Sequence, residues 1–256
     1  MISDSTRRFS SRVDNYKRYR PGYPVEVFGV LRAAGALRPD SVVADIGSGT
    51  GIFSALLLEN GHQVFAVEPN EPMRAAAEER FTAEENFTSV PGTAEATTLP
   101  AASIDLITSA QAFHWFDREP TRAEFARILR PGGWVALIWN ERQLDSTPLL
   151  RAYESLLREF GRDYLAVRHQ ELGLEKVRRF FGHDDVQLTV LKNAQSFDYA
   201  GLEGRLLSSS YAPESGQPNH APMLARLRAI FDEHADGGTV ELRYDTQVYC
   251  AQIKPL

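Results

Sequence analysis

Apolar residues along this chain fall into two regimes, and the change between them predicts the architecture. From residue 41, short apolar runs alternate with segments of helical spacing. Val42-Val43-Ala44-Asp45-Ile46 is an apolar run closed by glycines, the pattern of a buried strand. Ile52 to Leu58 is apolar throughout and meets a helix stop at Asn60-Gly61. Val64 to Val67 predicts a second strand ending at Glu68, after which Asn70 caps a helix with Pro72 in its first turn. Phe87 to Val90 is a weaker third strand and Ile104 to Ile107 a fourth. The helix carrying Phe125, Ile128 and Leu129 is expected to stop at Pro131-Gly132-Gly133, before a fifth strand from Trp134 to Trp139. Such alternation indicates a parallel sheet covered on both faces.

The flanks differ. Before residue 41 lies a basic, aromatic arm, Tyr16-Lys17-Arg18-Tyr19-Arg20-Pro21-Gly22-Tyr23-Pro24, leading into a helix with Val27, Phe28 and Leu31 on one face. Residues 147–182 read as helical and highly charged, an insertion. Val186 to Leu191 is strand-like, and a helix presents Met223, Leu224, Leu227, Ile230 and Phe231. In the last strand Val240, Leu242, Tyr244, Val248 and Cys250 share one parity, while Glu241, Arg243, Asp245 and Gln247 take the other. That alternation suits an antiparallel strand with one wetter face.

Composition narrows the class. The 256 residues are 43% hydrophobic and 24% charged, ordinary for a globular chain. A single cysteine, Cys250, excludes an intrachain disulfide and is expected in the core; a cytoplasmic setting follows as the expectation. A net charge of -6 argues against nucleic acid as partner, and no apolar run is long enough for a membrane span. The six histidines, at 62, 114, 169, 183, 220 and 234, show no paired ligand spacing, so no metal is expected.

The chemistry points to Asp45-Ile46-Gly47-Ser48-Gly49-Thr50-Gly51, a strand-to-helix turn where open α/β sheets bind ligands. Glu68 ends the next strand 21 positions after Gly47, where a carboxylate can accept from both ribose hydroxyls of an adenosine. A dinucleotide fingerprint wants glycine at 52, and this chain has Ile52, with the third glycine one residue early at Gly51. By itself the loop leaves a structural turn or a nicotinamide-dependent oxidoreductase as alternatives.

The pattern D-x-G-x-G-x-G resembles motif I of the class I S-adenosylmethionine-dependent methyltransferases. Glu68-Pro69-Asn70 with Met73 resembles the second motif, Gly92-Thr93-Ala94-Glu95 with Leu99-Pro100 the adenine-edge segment, and Ala110-Gln111-Ala112-Phe113-His114-Trp115 the loop after strand four. Leu129-Arg130-Pro131-Gly132-Gly133 resembles the lead into strand five. The arm is similar to that of a small-molecule subgroup including trans-aconitate methyltransferase-like proteins. The resemblance implies an α/β fold: a Rossmann-like, seven-stranded, mostly parallel sheet with an antiparallel last strand, helices on both faces and helical cap insertions. One domain over 1–256 is expected, with the arm and a helix at 1–40 and a cofactor-binding core at 41–140. Substrate-side insertions at 141–183 and 195–221 would leave 184–194 and 222–256 to complete the sheet.

The resemblance also implies S-adenosylmethionine on Asp45, Gly47, Ser48, Gly49, Gly51, Glu68, Pro69, Asn70, Met73, Ala94, Glu95, Ala110 and Gln111, with Tyr16 and Arg20 folding over it. At the adenine edge, where many relatives carry Asp-Ala, this chain has Ala94-Glu95, and the Ala94 N–H with the Glu95 carboxylate is the expected pair. Trp115, Phe116, Tyr19, Tyr23 and Arg142 are the candidates for the substrate side. His114 is the candidate base, needed only for an acceptor protonated at working pH; packing or cofactor-flanking is its alternative role. The function implied is methyl transfer to a small molecule through a carboxylate, hydroxyl or carbon acid. A protein that binds the cofactor without turnover is the non-catalytic alternative.

Overall fold

The computed structural model describes residues 18–165 and 173–253. In chain order the elements are α1 (Glu26–Ala33), β1 (Val42–Ile46), α2 (Ile52–Glu59), β2 (Gln63–Val67), α3 (Glu71–Arg80), β3 (Phe87–Val90), β4 (Ile104–Ala110), α4 (Arg118–Ile128) and β5 (Leu129–Arg142). There follow α5 (Pro148–Phe160), α6 (Leu174–Phe181), β6 (Gln187–Phe197), α7 (Tyr199–Leu207), α8 (His220–His234) and β7 (Val240–Ala251). The seven strands lie in the order β3-β2-β1-β4-β5-β7-β6, and β7 runs antiparallel to both neighbours. From β1 the chain builds outward to β3, then crosses back to β4. The carboxyl ends of β1 and β4 therefore flank the switch point, where such sheets open a crevice.

Among the described residues three large apolar clusters, and a small fourth of Ala55, Ala77 and Phe81 between α2 and α3, hold the elements. On one face Phe125 and Ile128 of α4 and Val177, Phe180 and Phe181 of α6 cover Ala44, Ile46, Ile107 and Leu137. On the other, Val27, Phe28 and Leu31 of α1 and Phe53 and Leu57 of α2 cover Val43, Val64, Leu106 and Ile138. A third cluster joins α5, α7 and α8 to Val240, Leu242 and Tyr244 of β7. Each fully buried side chain of this kind contributes on the order of 2 kcal/mol, so removing one aromatic from either face is a severe change. Cys250 is buried in the cluster on the α1 side of the sheet, and burial pushes its thiol up to about 12.

The structure corrects several boundaries. α4 ends at Ile128, and Leu129 already has extended backbone. Pro131-Gly132-Gly133 lies inside β5, in an irregularity between the pairs Ile104↔Leu129 and Leu106↔Trp134. β4 continues to Ala110 because buried Thr108 and Ser109 interrupt the apolar run without ending the strand. β6 reaches Phe197, so residues 195–197 are strand and not insertion. Its mixed polar edge pattern conceals an unbroken ladder with β7 from Gln187↔Cys250 to Phe197↔Val240.

The stretch expected as one insertion at 141–183 divides, since α5 joins the third cluster while α6 covers the sheet. The wetter face of β7 persists only to Gln247, after which Tyr249 and Ala251 are buried as well.

Candidate functional site

The loop after β1 is tied to the end of β2. The Gly47 and Ser48 N–H groups both donate to the Val67 carbonyl, at 2.8 and 3.2 Å. Glu68 then draws the two motifs together: Oε2 accepts from the Gly49 N–H at 2.9 Å and Oε1 from the Asn70 N–H at 2.8 Å. Burial raises the Glu68 pKa, with the hydrogen bonds from Asn70 and Gly49 opposing it. A carboxylate offers about four acceptor positions, so two protein donors leave capacity for a diol. Asn70 caps α3 through its side chain, accepting from the Met73 N–H at 3.1 Å.

Gly47, Gly49, Glu68, Pro69, Asn70 and Met73 line one cavity of about 270 Å³. Ala94, Glu95, Ala110, Gln111 and Arg20 line it too, as do His114, Trp115 and Phe116. Gly47 has φ +69°, and a Cβ there would collide with the Ala112 side chain and approach Phe116, so the bare backbone forms part of the wall. The cavity combines a buried carboxylate, a close-approach glycine wall and an aromatic side. That set fits an adenosine-bearing cation.

Other expected residues sit elsewhere. Asp45 lies under the loop, its carboxylate accepting from Ser54 Oγ at 2.6 Å and Thr108 Oγ1 at 3.0 Å. Burial pushes its pKa up to about 6. With Ser48 and Tyr23 it lines an adjoining space of about 20 Å³, room for about one water. Gly51 faces packing instead of the cavity: at φ +77°, a Cβ would come 2.5 Å from the Phe81 ring. Glu95 lines the cavity, but its Oε1 accepts from the Asp117 N–H at 2.9 Å and so also serves the start of α4.

Gln111 adopts φ +60°, unusual for a residue with a side chain. Its amide bridges to the neighbouring strand, Oε1 accepting from the Asn140 N–H at 2.7 Å and Nε2 donating to the Asn140 carbonyl at 3.3 Å. The His114 ring lies 4.4 Å from that of Trp115 and 5.1 Å, edge-on, from that of Trp139. Arg20 reaches the cavity and donates to the Ser208 carbonyl at 3.0 Å.

Tyr19 and Tyr23 are not among the cavity's lining residues. Tyr19 packs against the third cluster and over Gly204, and Tyr23 meets the Phe53 ring edge-on at 5.2 Å. Tyr16 lies outside the described residues. Arg142 is corrected too: its guanidinium pairs with Glu154 at 2.7 Å, donates to the Tyr164 hydroxyl at 3.1 Å, and does not line the cavity. The polar network inside the cap helices claims it.

Sequence reasoning missed Trp139 as a cavity residue and placed Ser210 and Tyr211 only within the 195–221 insertion; all three line the cavity. Trp139 carried a usable signal, an aromatic near the carboxyl end of an apolar strand. Arg205 carried none. It is buried in α7 and donates to Ser209 Oγ at 3.0 Å and the Tyr244 hydroxyl at 3.3 Å, bracing the turn that presents Ser210 and Tyr211.

Comparison with known proteins bears on the family and the fold. Residues 44–137 match the family model described as a methyltransferase domain. An uncharacterised methyltransferase of Mycobacterium tuberculosis is 40% identical over 143 residues, 54% of each chain, so this chain matches about half that relative's length. An uncharacterised methyltransferase of a Geobacillus species is 30% identical over 173 residues, 61% of this chain and 80% of the relative. A solved structure from Anaeromyxobacter dehalogenans, named as a type II methyltransferase, shares the fold with a TM-score of 0.65 at 23% identity, over 93% of this chain and all of the other. The chain belongs to the class I S-adenosylmethionine-dependent methyltransferase family.

Proposed function

We propose that this methyltransferase binds S-adenosylmethionine in the cavity at the β1–β4 switch point and methylates a small-molecule acceptor beside His114, Trp139 and Tyr211. The observation that carries the reading is Glu68, a buried carboxylate on the cavity wall with acceptor capacity to spare, beside a loop whose glycines admit close approach. Gly47, Gly49 and Glu68 are the residues that would hold the nucleoside and amino-acid parts, with Met73 and Ala94 against the base. When bound, the cofactor supplies a methyl group on a sulfonium, already activated for displacement.

The chain's own work is then alignment and exclusion of water. Positioning of this kind is worth up to roughly 7–11 kcal/mol of barrier. The aromatic faces of Trp115, Trp139 and Tyr211 suit a cationic centre and keep the site dry. His114, which lines the cavity, would take a proton from a hydroxyl or carbon acid, and a carboxylate acceptor would need no base. Arg20 offers a guanidinium to a carboxylate, on the cofactor or on the acceptor.

Calorimetric titration tests the binding step. S-adenosylmethionine and S-adenosylhomocysteine should bind one to one, and binding of NAD with no response to either would overturn the proposal. Transfer of a labelled methyl group into a metabolite extract tests turnover. Binding without transfer to any acceptor would favour a non-catalytic role.

A further inference from the structure

Tyr211 stands on the cavity wall in the turn after α7, and its hydroxyl is unused. Among the described residues that hydroxyl makes no hydrogen bond, and it is not sealed from solvent, so a ligand can reach it. The rest of the residue is fixed. Its carbonyl accepts from the Arg162 N–H at 2.8 Å, and the Ala212 N–H closes the turn onto the Ser209 carbonyl at 3.1 Å. Its ring meets the Tyr164 ring edge-on at 4.9 Å. A hydroxyl on a ring held this way keeps little freedom beyond its own rotation.

The surroundings behind it are positively charged. Tyr211 lies within electrostatic reach of Arg142 and Arg205, both nearly enclosed. Glu154 pairs with Arg142 at 2.7 Å and is shared with Arg158 at 2.9 Å. Arg205 has no carboxylate among the described residues. Its guanidinium is held by the hydroxyls of Ser209 at 3.0 Å, Tyr244 at 3.3 Å and Ser208 at 3.5 Å. Among these partners, three guanidiniums stand against one carboxylate. Enclosed cations short of counter-charge favour negative charge nearby, and little water is present to screen them. A phenol in such a field turns its oxygen toward the guanidiniums and its hydrogen away from them. It is then a donor to whatever occupies the cavity beside it.

We propose that Tyr211 binds the methyl acceptor through its hydroxyl and selects an anionic oxygen over an ammonium. This rests on the reading that the cavity holds cofactor and acceptor together. Gly47, Gly49, Glu68 and Met73 come from the turns and helices after β1 and β2, whereas Tyr211 comes from the cap, so nucleoside and acceptor meet different walls. Tyr211 donates to one lone pair of the acceptor oxygen. Another lone pair forms the bond to the methyl carbon as the carbon–sulfur pair returns to sulfur, and the phenol keeps its proton throughout. An ammonium offers the hydroxyl no acceptor and meets like charge behind it.

Benzoate and benzylammonium share an aromatic body and differ in the charge of the head group, which makes them the probes. Each is titrated calorimetrically, near neutral pH, into the full chain saturated with S-adenosylhomocysteine. One-to-one binding of benzoate, roughly tenfold or more tighter than benzylammonium, is the expected result. Tyr211→Phe keeps the ring against Tyr164, so its melting temperature and its S-adenosylhomocysteine affinity should match the parent. Its benzoate affinity should fall roughly tenfold, the effect of one hydrogen bond to a charged group.

Absence of benzoate binding, a preference for benzylammonium, or benzoate affinity unmoved in Tyr211→Phe overturns the assignment. Loss of S-adenosylhomocysteine affinity in that variant gives the hydroxyl to the cofactor and overturns it as well. Failure of the parent chain to bind S-adenosylhomocysteine is a different result: it overturns the proposed function, and this assignment with it.

Discussion

Glu68 Oε2 accepts the Gly49 N–H at 2.9 Å, so the acid that ends β2 also fixes the glycine loop that follows β1. One carboxylate therefore shapes the loop and presents acceptors to the cavity. Glu68→Ala is expected to weaken S-adenosylhomocysteine binding by roughly 1–3 kcal/mol, about 5- to 150-fold, with some loss of thermal stability because the Gly49 and Asn70 donors are abandoned. Glu68→Gln should retain part of both. Calorimetry with a parallel melting curve checks this, and unchanged affinity in the alanine variant would remove Glu68 from the site.

Two glycines of the loop should fail differently when given a methyl group. Gly51→Ala meets the Phe81 ring at 2.5 Å in left-handed backbone, so stability is expected to fall by about 1–3 kcal/mol. Gly47→Ala meets the Ala112 Cβ, also in left-handed backbone, so it should lose comparable stability and, because Gly47 lines the cavity, cofactor affinity as well, which Gly51→Ala should spare. Urea unfolding and calorimetry on both variants separate the effects, and identical behaviour would refute the division.

Asp45 titrates near 6 in the fold, against 3.8 for the unfolded chain, because burial raises it. The folded state then binds the proton more tightly. Its favourable contribution is complete below about pH 4 and is lost as pH rises through about 6. Asp45→Asn should abolish that decline, so the variant gains relative to the parent between pH 4 and 7 by on the order of 3 kcal/mol. Urea midpoints across that range test it, and parallel pH profiles would show that Asp45 is ionised throughout.

Arg142 and Glu154 are both nearly enclosed, and Glu154 also accepts from Tyr164 and Arg158. Glu154→Ala leaves a buried guanidinium without its counter-charge and is expected to cost about 3–5 kcal/mol of stability. Arg142→Met should be milder, and it should leave S-adenosylhomocysteine affinity unchanged because Arg142 lines the cap network and not the cavity. A marked affinity loss in Arg142→Met, with stability intact, would return that residue to the site.

Much of the fold was legible because its signals are local. Apolar runs closed by glycine, the Asn70 cap and the alternation in β7 depend on residues a few positions apart, and the strands and helices appeared where those signals stood. Edges were less legible. β6 and the far end of β4 carry polar residues whose partners are supplied by a neighbouring strand, and only pairing shows that the ladder continues.

The sequence by itself determined the strand-loop-helix that makes the cavity wall, the register that sets Gly51 apart from a dinucleotide fingerprint, and the reach from that loop to Glu68. These are matters of covalent spacing. Only the tertiary structure decided which side chains converge. It took Arg142 into an ion pair inside the cap, gave Gly51 to helix packing and Asp45 to a buried network, and brought Trp139 and Tyr211 to the cavity. It also brought the Asn140 side chain to the Gly22 carbonyl, 118 positions away, anchoring the segment that carries Arg20. The reason is physical: a buried charge or amide goes where a partner satisfies it, and those partners are distant in sequence.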